Sequence, residues 1–338
     1  MKKLAYAVAP LFLAMALAGC GGSDSNSSSS DNSTPDIGNG NGGSDIDNGN
    51  GGSDNGQVEQ NAGWDINQWK ITLPVSYTYY KDNYGTGSGL TDSDSAAELI
   101  PADCSGKNEL TTDTTLPYFH IDANNRTHFI VDLGDDGITT TTNSNYARSE
   151  LRELYNFNSS NRCSSSNQNW AISDSANHKL NATLNVEKYP TGINKDPKVV
   201  IGQVHGYEIK QALIKLLWEG PNKPVRAIMN DSFLPNNQVC NSCNSFSVDL
   251  GTAKSGTDFS YQIDVNSQGV VLEAAGVRKS FNWGVNIENT GHALTPNWAN
   301  SSNKFYFKAG IYPQISPSSS YAGQVFDVSF SKIAIEHK

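Results

Sequence analysis

The sequence carries little charge and no basic surplus. Only 17% of its 338 residues are Asp, Glu, Lys or Arg, and acids outnumber bases by 34 to 24. Residues 1–60 hold two lysines, six Asp and one Glu, so the formal charge of −10 becomes −5 over residues 61–338. A domain of that sign is no general binder of nucleic acid or of anionic surfaces. If its ligand is an anion, positive charge must be concentrated locally. Cysteine is scarce too: beyond Cys20 there are only Cys104, Cys163, Cys240 and Cys243. Cys240-Asn241-Ser242-Cys243 lacks the βαβ surroundings of a redox motif, and no second close pair completes a zinc site. An even count in an exported chain reads as structural, with a Cys240–Cys243 staple and a Cys104–Cys163 bridge. His120, His128, His178 and His292 lack ligand spacing, so no metal is expected. Long helical periods are missing as well, and the one weak instance covers Ser93–Ile100.

What is present begins with MKKLAYAVAPLFLAMALAGC, two lysines before an apolar run that ends in small residues and a cysteine. This is a secretory signal, too short and wrongly flanked for a stable membrane span. Its ending, Leu17-Ala18-Gly19-Cys20, resembles the bacterial lipobox, in which the cysteine is lipidated. Gly21, rather than Asp, at the following position implies the outer membrane. The expectation is an exported lipoprotein, monomeric, that touches membrane only through this anchor; plain secretion is the alternative. Residues 21–59 are Gly, Ser, Asn and Asp with almost nothing apolar. They cannot offset their ordering entropy and read as a tether with a reach of roughly 35 Å. Residues 60–338 turn globular without a second low-complexity break, as one domain.

Within that domain the patterned segments are short and rich in β-branched and aromatic residues. WKITLP (69–74), HFIVDL (128–133), KLNATLNVEKY (179–189), KVVIGQVHG (198–206), IKLLWEG (214–220) and FSYQIDVN (259–266) are typical, with turn residues between them. Regular short strands of this kind predict an all-β, jelly-roll sandwich. Strand alternation then sorts side chains onto faces. In RSELRE (148–153) the residues Arg148, Glu150 and Arg152 share one face. In IGQVHG, Gln203 and His205 share one. In KFYFKAGIYPQ (304–314), Tyr306, Lys308, Tyr312 and Gln314 lie opposite a wholly apolar set, Phe305, Phe307, Ala309, Ile311 and Pro313. Three polar strand faces would serve as the floor of a groove.

RSELRE, QVH and YFKAGIYPQ, in this order and at these separations, resemble the signature blocks of polysaccharide lyase family 7, the alginate lyases. WKITLP and FDVSFSKIAIEH look like that family's first and last strands, so the resemblance covers essentially the whole domain. It implies a jelly roll with a substrate cleft across its concave sheet, the anionic polysaccharide alginate as partner, and no cofactor. It further implies a β-elimination. A base takes the C5 proton of a 1,4-linked uronate, an acid protonates the C4 leaving oxygen, and an unsaturated uronate remains. Arg148 and Gln203 would stabilise charge on the uronate carboxylate, His205 would serve as base, and Tyr312 would serve as acid. Glu150, Arg152, Tyr306, Lys308 and Gln314 would contact substrate, with the alternative for Glu150 that it only positions the arginines. In mannuronate the proton and leaving oxygen share one ring face, so Tyr312 can do both jobs. In guluronate they lie on opposite faces and His205 is needed. The QVH form of the middle block leans to mannuronate or mixed blocks.

Three rivals remain. A polyuronate-binding module needs no base and acid, which His205 and Tyr312 supply. A glycoside hydrolase needs two facing carboxylates, and YQIDVNSQG offers only Asp264. A lyase for another uronan, such as glucuronan, would share the same blocks.

Overall fold

The computed structural model describes residues 68–85, 92–100, 108–109, 115–142, 144–156 and 168–338. The segments expected to be a signal and a tether, with Cys20, and the expected Cys104–Cys163 bridge lie outside them. Two large sheets form the jelly-roll β-sandwich that the short strands predict. Among the described residues, one sheet runs in the order Ser245–Thr252, Pro224–Asn230, Ala212–Trp218, Val199–Gly206, Phe305–Pro313, Ser149–Glu153, Trp69–Ser76, Ala96–Ile100, Asn108–Glu109. The other runs Val277–Asn282, Gly269–Ala274, Phe259–Asn266, Asn177–Lys188, Val325–His337, Thr127–Asp132, Phe119–Ile121, Thr115–Leu116. Pairing is antiparallel except between Ala96–Ile100 and Asn108–Glu109. Ala96–Ile100 corrects the helical reading of that stretch. It pairs with Trp69–Ser76 and buries Ala97 and Leu99, so tertiary context overrides a weak local period. A short helix, Tyr77–Asn83, is instead capped by the Ser76 hydroxyl, which accepts from the Tyr79 N–H.

The core follows from the alternation. Phe305, Phe307, Ala309 and Ile311 are fully buried, as are Phe129, Phe326 and Phe330 of the second sheet. Phe129 and Phe330 meet edge to face at 5.2 Å, and each such burial contributes about 1.5–3 kcal/mol. The sheets also approach closely at Gly202, where a Cβ would stand 2.6 Å from the Tyr261 hydroxyl. That hydroxyl donates to the Ile201 carbonyl at 3.0 Å. The Cys240–Cys243 disulfide closes with Cα atoms 5.4 Å apart.

The inward face of RSELRE carries a charge. Glu153 is fully buried beside Ser149 and Leu151. Its carboxylate accepts from Trp170 Nε1 and the Phe307 N–H, each at 2.8 Å, and pairs with His337 Nε2 at 2.6 Å. These partners offset the desolvation that otherwise excludes a buried carboxylate. His337 in turn meets His178, whose ring stacks on Trp170 at 4.2 Å. Burial, with His337 adding, lowers His178 to about 4. The unfolded chain then binds a proton that the fold refuses between about pH 6.5 and 4. Stability present above pH 6.5 is lost as pH falls through that window. Melting curves from pH 7 to 4 should show Tm falling, with a shallower slope for His178→Phe; an unchanged slope would remove His178 from the account.

Candidate active site

Register brings the three polar strand faces together. Across neighbouring strands His205 faces Tyr306, Gln203 faces Lys308, and Lys308 faces Arg152. An irregularity between Ala309 and Tyr312, with Gly310 at φ +116°, bends the Phe305–Pro313 strand. Glycine accepts that backbone where other residues are strained. The outer face of this sheet holds a cleft of about 660 Å³, lined by Arg148, Gln203, His205, Tyr306, Lys308 and Tyr312. Six of the nine side chains expected at the site therefore converge on one cavity.

Beneath them sits Glu150, 1% exposed. It accepts from Arg148 Nη1 at 3.0 Å and also binds Lys308 Nζ and Gln203 Nε2. Burial opposes its ionisation, but the charges of Lys308 and Arg148 outweigh it and hold the carboxyl below its ordinary range. Expected as a substrate contact, Glu150 instead anchors three side chains from below. Lys308 is pushed down to about 8, by burial first and by Arg148, against the opposing pull of Glu150.

His205 Nδ1 lies 2.9 Å from the Gly206 carbonyl. A carbonyl only accepts, so Nδ1 carries the proton and Nε2 keeps a lone pair. Burial lowers the imidazole to about 4, with Lys308, Lys215 and Arg148 adding to the effect. It is neutral at neutral pH and able to accept a proton. The Tyr312 hydroxyl shares a 2.7 Å hydrogen bond with Ser144 Oγ. Its ring carries the Arg148 guanidinium at 3.9 Å and meets Tyr146 edge-on at 5.9 Å. The arrangement offers a neutral base, a phenol held by a hydroxyl, and fixed cations in one cavity.

Besides Glu150, two more expected contacts are absent from the cleft lining. Arg152, only 6% exposed, stacks at 4.1 Å on the Tyr306 ring and donates to the Glu153 carbonyl and the Asn169 side chain. Gln314 is half-buried and donates to the Tyr312 carbonyl at 3.1 Å. Sequence reasoning in turn missed Thr141, Ile209, Lys210, Lys215 and Asn237, which line the cleft, and Ser144 and Tyr146 beside Tyr312. Only Lys215 left a signal, as the single polar residue of the strand ALIKLLW.

A family model described as alginate lyase matches residues 64–337. No protein of curated function matches the chain by sequence. Among solved structures it resembles alginate lyase A1-II', a member of polysaccharide lyase family 7, at 20% identity over 81% of this chain and 96% of that one, with a TM-score of 0.55. Alginate lyase PA1167 from Pseudomonas aeruginosa aligns at 24% identity over 81% of this chain and all of its own, with a TM-score of 0.56. The alginate lyase from Klebsiella pneumoniae gives 19%, 81%, 97% and 0.55. At these identities the structural likeness is one of fold, and the family model adds the sequence relationship across the whole sandwich. The chain belongs to polysaccharide lyase family 7, the alginate lyases.

Proposed function

We propose that this protein depolymerises alginate by β-elimination at 1,4-linked uronates, with mannuronate or mixed blocks preferred. The observation that carries the reading is the convergence of Arg148, Gln203, His205 and Tyr312 on one positively lined cleft in a domain of net negative charge. A1-II' has been captured with substrate (GGMG) and with product (GGG), which supports an alginate-type ligand here.

The C5 proton of a uronate is barely acidic while its carboxylate is ionised, so charge building on that group must be stabilised by donors already in place. Arg148, fixed by Glu150, supplies a permanent charge. Gln203 spends one N–H on Glu150 and keeps the other for substrate. For guluronate, His205 Nε2 takes the C5 proton and the Tyr312 hydroxyl protonates the C4 oxygen from the opposite face. For mannuronate, Tyr312 serves both steps, with Ser144 as its hydrogen-bond partner. The preference for mannuronate rests on the QVH form alone; Val204 itself is buried in the core and does not line the cleft.

Ultraviolet absorbance of unsaturated uronate, followed with polymannuronate, polyguluronate and a glucuronate polymer separately, tests the reading. The fastest rise is expected with polymannuronate. Fastest cleavage of the glucuronate polymer would reassign the substrate, and binding without any rise would make the protein a polyuronate-binding module. On polyguluronate the acid limb of kcat/KM should fall near pH 4, because His205 accepts a proton only while neutral. A limb at the ordinary histidine value of about 6.5 would mean that burial does not lower His205, and an acid limb that His205→Asn leaves in place would count against that base. The reading also includes export on a lipid at Cys20, supported by Leu17-Ala18-Gly19-Cys20; fatty-acid labelling that persists in Cys20→Ala would remove the anchor.

A further inference from the structure

Lys215 is a half-buried ammonium with no counter-ion among the described residues. It is the one polar side chain of Ala212–Trp218, and it lines the cleft. Among the described residues no carboxylate comes within ion-pairing distance of it and no hydrogen bond fixes it. The nearby buried carboxylate, Glu150, is already bound by Arg148, Lys308 and Gln203. Burial lowers the lysine's pKa, against the pull of Glu150. An uncompensated cation in such a place is costly. An apolar residue would suit a strand that is otherwise apolar throughout, so the charge itself calls for a ligand, and the ligand must be an anion.

Position narrows the ligand further. Lys215 stands directly across from Gln203, which stands across from Lys308. Adjacent strands lie about 4.8 Å apart, so the three polar groups form a row across the sheet with one step per strand. A polymer laid across the strands, with one carboxylate on every sugar, would meet this row unit by unit. Lys210 and Asn237, both exposed, line the same cleft. The Asn237 N–H donates to the Glu208 carbonyl at 2.7 Å, which ties its loop to the one bearing Lys210. At the far end of the loop the Asp231 carboxylate accepts from the Asn244 N–H and side chain, and Cys240–Cys243 staples the turn.

We propose that Lys215, flanked by Lys210 and Asn237, is a second carboxylate subsite that holds the uronate next to the one undergoing elimination. The proposal rests on the lyase reading above and adds a binding residue to it. Lys215 contributes to holding the chain in ground state and transition state alike, which raises affinity without changing the chemical step.

Lys215→Met keeps the stem and removes the charge, whereas Lys215→Arg keeps the charge. With polymannuronate, K215M should raise KM about tenfold, equivalent to 1.4 kcal/mol, with kcat within a factor of about two. Arg should restore most of the loss, and kcat/KM of K215M should depend less on salt. An unchanged KM in a K215M protein that melts like wild type would overturn the subsite, and so would a fall in kcat at unchanged KM. If K215M fails to fold, Lys210→Ala, on an exposed side chain, should still raise KM in the same direction, and no rise would overturn the proposal. If wild type makes no unsaturated product, the lyase reading falls by itself. Calorimetric binding of a mannuronate oligomer to wild type and K215M then decides the subsite, and equal affinities would overturn it.

Discussion

Tyr312→Phe should lower kcat on both polymannuronate and polyguluronate by about 10²–10⁴-fold, the usual worth of a positioned proton donor or base, while KM changes little. The substitution removes only the hydroxyl, which shares its hydrogen bond with Ser144. The ring remains beneath the Arg148 guanidinium and against Tyr146, so the cation proposed to meet the substrate carboxylate keeps its support. On the proposed mechanism mannuronate cleavage should suffer more, because there the phenol would handle both protons and His205 would lie on the wrong ring face to help. On guluronate the proposed base, His205, would survive and only protonation of the leaving oxygen would be lost. Equal losses on both polymers would show that Tyr312 plays the same part in each. A loss under about tenfold on both would remove it from the proton transfers altogether.

Glu150→Leu is expected to be the most destabilising single change in the cleft. The carboxylate is 1% exposed and serves Arg148, Lys308 and Gln203 together. Its removal leaves two cations over a floor with no countercharge, at a cost of about 3–5 kcal/mol. For a domain of this size that lowers Tm by roughly 6–20 °C, readable by thermal melting. An unchanged Tm would mean that solvent already compensates those cations. Glu150→Gln keeps the shape and removes only the charge, so it separates position from electrostatics. Lys308 sits at about 8 because the pull of Glu150 partly offsets burial and Arg148. Without that pull its pKa falls further, and the ammonium deprotonates at lower pH. The alkaline rise in KM should therefore begin earlier in Glu150→Gln than in wild type. A limb that stays in place would mean that Lys308 does not hold substrate.

Both substitutions lie on features that were unevenly legible. The parity of RSELRE was readable: Arg148, Glu150 and Arg152 do share the side opposite Ser149, Leu151 and Glu153. Their fates were not. Glu150 lies under the floor, Arg152 is covered by Tyr306, and Arg148 alone reaches the cleft. Equal parity became three different roles because each side chain met different neighbours from a strand more than 150 residues away.

What the sequence by itself determined is local. Period-two patterning separates the core set Phe305, Phe307, Ala309 and Ile311 from the polar set Tyr306, Lys308 and Tyr312, because successive Cβ atoms leave a strand on opposite sides. The three ordered blocks carry the family resemblance, and with it the residues expected at the site. What only the tertiary structure decided is non-local. Ser149–Glu153 lies beside Phe305–Pro313, and Gln203 lies between Lys308 and Lys215. Loops carry no period, so Lys210, Asn237 and Ser144 had no signal before the chain folded. Strand order and register depend on pairings that span much of the chain, and alternation within one strand holds no record of its partner.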